Sequence, residues 1–216
     1  MYLPAAFHQT DPPQLFELMR DHPLATLITQ NDDGSPCADH IPLLWQDDGS
    51  LHGRLIGHLA RANPLSSRCA SEGLPVLAIF HGPQLYISPS GYATKAEHGR
   101  VVPTWNYAVV HVRGRLRRID DPAALRTALE HLTDHQEAPL PQPWSVADAP
   151  ADYLDRMLAG VVGVELSIDA LTGKFKLSQN QPAVNRESLL RHLEKRPDGE
   201  LNPARAMAAA IARQSK

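Results

Sequence analysis

The chain has 216 residues, 43% of them apolar, and a formal net charge of −3. That composition excludes a disordered chain and is enough to bury a sizeable core. No apolar run is long enough to span a bilayer, no signal-peptide pattern follows Met1, and the slight acidity argues against a sequence-independent grip on DNA. A cytoplasmic protein is expected.

Asp11-Pro12-Pro13 before an apolar run predicts a capped amphipathic helix that ends near His22-Pro23. Residues 24–29, 37–45 and 50–59 read as three strands on the tight turns Asn31-Asp32-Asp33-Gly34 and Asp47-Asp48-Gly49, an antiparallel meander. Pro64 starts a short helix through Ala70. Residues 74–80 and 84–88 read as a hairpin around His81-Gly82-Pro83, followed by a loop over 89–102. Residues 104–119 alternate as one long strand, with a bulge or bend expected at Gly114. Asp121-Pro122 caps a helix to about His135, and the proline-rich run 138–143 is an extended connector.

A short helix over 151–159, strands over 161–168 and 173–177, a helix over 186–195 and a final Ala-rich helix capped by Asn202-Pro203 complete the chain. The last helix has little to bury on one side and is expected to fray or to dock on a partner chain. Seven or eight strands without βαβ alternation predict a mainly β fold, an antiparallel barrel with α appendages. It is read as a single domain over 1–216, with a helical C-terminal extension from about 185.

Two stretches carry chemistry. Gly57-His58-Leu59-Ala60-Arg61-Ala62-Asn63-Pro64 closes a strand at a helix start, where free backbone N–H groups, the Arg61 fork and Asn63 suit a phosphate monoester. The plain alternative is a helix cap with a solvated arginine. Pro103-Thr104-Trp105-Asn106-Tyr107 opens the long strand; Trp105 and Tyr107 share a face and either wall a flat ring or pack in a core.

His40 lies on the neighbouring strand, in Asp39-His40-Ile41-Pro42-Leu43, where Pro42 removes a ladder donor and implies an edge or bulge. Two histidines without a third ligand do not make a metal site, and none is assigned. Lys174 and Lys176 read as solvated edge protection, and Ser178-Gln179-Asn180 after them as a polar lining. Cys37 and Cys69 match no metal or redox spacing. The cluster Arg113, Arg115, Arg117 and Arg118 reads as a solvated strand face. No nucleophile elbow, dinucleotide glycine fingerprint or phosphate loop is present, and no catalytic residue is assigned.

Taken in order, these stretches resemble the PaiB-type FMN-binding negative transcriptional regulators. The matching residues are Met1-Tyr2 with Pro4 and Phe7, 22–27, 40–43, 57–64, Phe80-His81-Gly82-Pro83 with Tyr86-Ile87-Ser88-Pro89-Ser90, 102–107, and Lys174 with 176–180. The resemblance implies a split β-barrel like that of the pyridoxamine-phosphate-oxidase group, with FMN at the interface of a homodimer. It implies that His58, Leu59, Ala60, Arg61 and Asn63 hold the FMN phosphate and that the backbone of His40, Ile41, Pro42 and Leu43 faces the isoalloxazine. Trp105, Asn106, Tyr107, Lys174, Ser178, Gln179 and Asn180 are further walls. DNA as a partner is implied by the resemblance alone. A flavin-dependent oxidoreductase and a heme-binding split barrel, with His40, His58, His81 or His111 on iron, are the alternative functions. Two departures from the pattern stand out: Gly91 where tryptophan is usual after Ser-Pro-Ser, and Leu65-Ser66 where an aromatic often follows Asn63-Pro64.

Overall fold

Alternation builds the sheet. In β2 (Leu24–Gln30), Ala25, Leu27 and Thr29 are buried while the residues between them are more exposed. A computed structural model describes residues 1–69, 73–195 and 203–214. Its other strands are β1 (His8–Gln9), β3 (Pro36–Gln46), β4 (Arg54–Ala60), β5 (Leu74–Ile87), β6 (Thr104–Ile119) and β7 (Val161–Lys176). They form a sheet in the order β1-β7-β4-β3-β2-β5-β6, with a further pairing of β7 with β6. The helices are α1 (Pro12–Asp21), α2 (Leu65–Arg68), α3 (Thr94–His98), α4 (Pro122–Glu137), α5 (Ala151–Ala159), α6 (Ala183–Glu194) and α7 (Pro203–Arg213).

The chain divides into two compact units. The meander unit comprises Met19–Phe80 and His111–Leu171. There β2 pairs with β3 from Leu24↔Pro42 to Gln30↔Pro36, β3 pairs with β4 from Leu43↔Gly57 to Gln46↔Arg54, and β4 pairs with β7 from Arg54↔Ser167 to Ala60↔Val161. Leu27, Leu43, Leu55, Val112, Leu116 and Leu166 are fully buried in it. The α4 helix starts as expected, with the Asp121 carboxylate accepting from the Ala123 and Ala124 amides. Gly114 permits a close approach of β6 to β7: a Cβ there would lie 2.0 Å from the Ser167 carbonyl oxygen.

The terminal unit comprises Met1–Leu18, His81–Val110 and Thr172–Lys216. β1 pairs with the end of β7 at His8↔Lys174 and Gln9↔Gly173. α7 packs one face against its own chain, while the side expected to fray or meet a partner, at Arg205, Ala206, Ala209 and Ala212, stays exposed. Ala204, Met207, Ala208, Ala210 and Ile211 are buried, and Arg213 pairs with Glu17. Small alanine side chains let the helix come close enough to bury that stripe.

Several boundaries move. His81-Gly82-Pro83 is no turn; β5 runs straight through it, and Gly82 is pressed by the Leu18 side chain and the Ala108 carbonyl. Residues 169–172 do not break β7, which finds ladder partners on β4 and then β1. β4 begins at Arg54 rather than 50, because Gly53 adopts a left-handed φ of 69° and the indole of Trp45 donates to the His52 carbonyl at 2.8 Å. The segment 89–102 holds a 3-10 turn and α3 rather than only loop. α6 begins at Ala183, three residues earlier than expected. Ala70 and Asn202 lie outside the described residues.

Candidate functional site

In the meander unit, the register on β3 changes partner at Pro42. Residues 36–42 pair with β2, whereas pairing with β4 begins at Leu43↔Gly57. The β4-facing edge at His40, Ile41 and Pro42 therefore has no registered partner, the edge that a strand proline implies. Gly57 lies at the fork, and a Cβ on it would meet the Pro42 carbonyl oxygen at 2.5 Å. Any side chain there would close the gap between the strands. His40 and His58 are not cross-strand partners. His40 Nδ1 lies 3.2 Å from the Thr26 hydroxyl, across the β2–β3 ladder.

His58 Nδ1 is buried and has no hydrogen-bond partner among the described residues. Burial holds the imidazole pKa below the ordinary histidine value, so the ring is neutral at pH 7. A buried polar atom without a partner is uncommon in a folded chain and marks a place for a ligand or water. Leu59 is buried and Ala60 exposed, the alternation of a strand end.

The turn after β4 is tied down by its own side chains. The Asn63 amide donates to the Asp39 carboxylate at 2.8 Å while its carbonyl accepts from the Leu65 amide at 2.9 Å. Arg61 donates from Nε to the Ala159 carbonyl at 2.8 Å and from Nη2 to the Val161 carbonyl at 3.0 Å. It thus caps the C-terminal end of α5, where a cation is favoured. Its Nη1 makes no hydrogen bond among the described residues.

The terminal unit holds a second cluster. Lys174 is only 8% exposed, so the expectation of a solvated lysine fails there. Its ammonium donates to the Tyr2 carbonyl at 3.0 Å and lies 5.6 Å and 5.4 Å from the ring centroids of Tyr2 and Tyr107. Two aromatic faces and a carbonyl offset the desolvation of the charge. The Lys176 ammonium is likewise spent, on the Thr104 hydroxyl and the Trp105 carbonyl.

Asn106 is fully buried and exchanges hydrogen bonds with the Ser178 hydroxyl at 2.9 and 3.3 Å; the Tyr92 hydroxyl is 3.5 Å from the same oxygen. Ser178 holds a left-handed φ of 64° to reach them. Gln179 bonds back to the Leu177 amide and the Phe175 carbonyl, and Asn180 is exposed. The triplet 178–180 is therefore largely consumed in shaping its own turn. Trp105 is 54% exposed, with Tyr86 edge-on to it at 6.2 Å.

Sequence reasoning passed over Asp39, Tyr2, Tyr86 and Tyr92. Asp39, Tyr2 and Tyr86 lay inside quoted motifs, Asp39 next to the chosen His40. Nothing in the linear pattern pairs Tyr2 with a lysine 172 positions away. Among the described residues no group of three His, Cys, Asp or Glu side chains is placed to hold a metal ion.

This architecture is a mainly antiparallel split β-barrel. Solved structures share it at low identity. A FAD- and heme-binding protein from Mycobacterium smegmatis superposes with a TM-score of 0.58 at 23% identity, over 78% of this chain and 73% of that one. A 5-nitroimidazole antibiotic resistance protein from Bacteroides thetaiotaomicron, so described provisionally, gives 0.56 at 14%, over 77% and 85%.

The family model described as "Putative FMN-binding domain" matches residues 1–170, and the chain belongs to that family. It is 31% identical to the protease synthase and sporulation protein PAI 2 of Bacillus subtilis, over 96% of this chain and 95% of that one. It is 33% identical to an uncharacterized protein of Emericella nidulans, over 90% of each chain. The chain is an FMN-binding protein. The meander-unit residues fit that cofactor: an unpartnered buried imidazole nitrogen, an open strand edge kept clear by Gly57, and an uncommitted arginine N–H lie within one stretch.

Proposed function

We propose that the chain is a homodimeric FMN-binding regulator of the PaiB type. The FMN phosphate is assigned to the turn after β4, at Arg61 Nη1, and one side of the isoalloxazine to the open edge of β3 at residues 40–43. Trp105, Tyr107 and residues 174–180 of a second copy are assigned to the other side of the ring. Asn106, Lys174 and Ser178 act there as positioning residues, since their polar atoms are already bonded within the chain. Bound FMN brings its own hydride and electron chemistry; the protein contributes binding and orientation.

The observation that carries the reading is the unpartnered His58 nitrogen beside an unpaired strand edge, in a member of an FMN-binding family. The regulatory part is supported by similarity along nearly the whole chain to a protein named for protease synthesis and sporulation. No helix among the described residues is long and apolar enough to cross a membrane.

The test is an ultraviolet–visible spectrum of the full chain loaded with FMN, with light scattering on the same sample. Bound-flavin peaks at one FMN per chain in a dimer support the proposal. A Soret band from protein as purified favours heme, and steady consumption of NAD(P)H by the loaded protein favours an oxidoreductase. A gel shift at low salt, with affinity that falls steeply as salt rises, tests the DNA contact.

A further inference from the structure

The terminal unit carries a small cavity that meets the stretches above only at Ser90, Gly91 and Tyr92. About 250 Å³ in volume, it is lined by Ser90 and Gly91 in the 3-10 turn, by Tyr92 and Ala93 after it, by Ser188, Arg191 and His192 from α6, and by Lys195 at the C-cap of α6. Among the described residues its lining holds two full cations and an imidazole, and no carboxylate. Arg191, His192 and Lys195 make no ion pair or hydrogen bond among the described residues.

Arg191, in the last turn of α6, and Lys195, at its C-cap, are four residues apart, a spacing at which like charges repel. Cations in a last helical turn also answer the helix dipole. That accounts for a cation being there, but not for two cations and an imidazole converging on a cavity with no counter-charge among the described residues of its lining.

The cavity exists because residue 91 is glycine. A Cβ there would come to 3.0 Å from Leu189 Cδ1 and 3.4 Å from His192 Cδ2, so any larger side chain would push into the space that α6 borders. The walls are otherwise fixed. The Ser188 hydroxyl bonds the Gly91 and Asn185 carbonyls at 2.9 and 3.0 Å and accepts from the Ala93 amide at 2.9 Å. The Thr94 amide donates to Asn185 at 3.1 Å. The turn and α6 are thus stapled together, while the exposed Ser90 hydroxyl shares a contact only with Ser88.

We propose that this cavity is a binding site for a small phosphate-bearing anion, distinct from the FMN site. A guanidinium fork, an ammonium, an imidazole and a hydroxyl converge on it. That set supplies donors from several directions, as a tetrahedral dianion requires, rather than the single planar fork that a carboxylate requires. Its volume suits a phosphate monoester of a small sugar rather than a dinucleotide. The charge of the unit agrees: in sequence it carries eleven Lys and Arg against seven Asp and Glu, while the meander unit carries ten against seventeen.

The experiment titrates the full chain by calorimetry with inorganic phosphate, pyrophosphate and ribose 5-phosphate at fixed ionic strength. It compares the native chain with R191Q/K195Q and with the control R113Q/R117Q, which removes the same charge from exposed positions on β6. All four positions are exposed, so each variant is expected to fold, and its thermal midpoint is checked first. The proposal expects saturable binding of at least one phosphate probe, weakened about tenfold or more in R191Q/K195Q and unchanged in the control. Free inorganic phosphate binding as tightly as the sugar phosphate would identify the ion itself as the ligand; preference for the ester would identify an organic phosphate.

Equal weakening in both variants, or no saturable binding, would overturn the site and leave the cations as helix-end charges. A DNA duplex that binds through Arg191 and Lys195 while the small phosphates do not would overturn it as well. FMN affinity is measured on the same variants. A fall in R191Q/K195Q would mean that the cavity holds the flavin phosphate and is no separate site, whereas failure of FMN to bind the native chain leaves the phosphate result standing by itself.

Discussion

Arg61→Ala separates two roles of one side chain. Two of its N–H groups hold carbonyls at the junction of α5 and β7, at 2.8 and 3.0 Å. Each such bond contributes about 0.5–1.5 kcal/mol net, toward the lower end because the residue is exposed. The flavin-free protein is therefore expected to lose about 1–2 kcal/mol of unfolding free energy in a urea titration at neutral pH. The third donor, Nη1, is the one assigned to the FMN phosphate. A charge-assisted contact of that kind is worth about 1.5–3 kcal/mol, so the Kd for FMN should rise roughly tenfold to a hundredfold. Quenching of flavin fluorescence reads that Kd well below the unfolding midpoint of the variant. Arg61→Lys keeps the charge but loses the fork, and should fall between the two proteins. If Arg61→Ala binds FMN as tightly as the native chain, the phosphate lies elsewhere. If its urea midpoint is also unchanged, the two carbonyl bonds contribute nothing and the local account is wrong.

Other expectations follow from the same geometry. Gly114→Ala drives a methyl to 2.0 Å from a backbone oxygen on β7 and should cost about 3 kcal/mol or more, read as lost soluble yield or a collapsed urea midpoint. Ser178→Ala leaves the fully buried Asn106 amide short of its partner and should cost about 1–3 kcal/mol, even though the new residue is no worse at a left-handed φ. His58 gives a pH dependence of defined sign. Its pKa is lower folded than unfolded, so the unfolded chain binds more protons as the pH falls through about 6.5. Stability from this residue is complete above that pH and is lost below it; His58→Gln should flatten that part of the urea-midpoint profile relative to the native chain, and an identical profile would count against the burial argument.

The strand over 104–119 and the helix capped by Asp121 were legible because local signals and tertiary demand agree there: alternation in one, a carboxylate before proline in the other. His81-Gly82-Pro83 misleads for the opposite reason. Glycine and proline are turn formers in isolation, yet here the glycine is needed for room against Leu18 and the strand continues. The site was legible as a set of motifs but not as bonding. That Asn63 would spend its amide on Asp39, or Arg61 its fork on α5, depends on where a helix 98 residues downstream ends. Lys174 reads as a surface residue until the N-terminal Tyr2 lies over it, a long-range packing that no periodicity encodes.

The placement of the flavin is tested most directly by a crystal structure of the full chain grown with FMN. The account predicts the phosphate against residues 58–63 with Arg61 Nη1 on one of its oxygens, the ring along the open edge of β3, and a second copy of the chain closing over it. A flavin found elsewhere, or held by one subunit with the β3 edge bare, would contradict it.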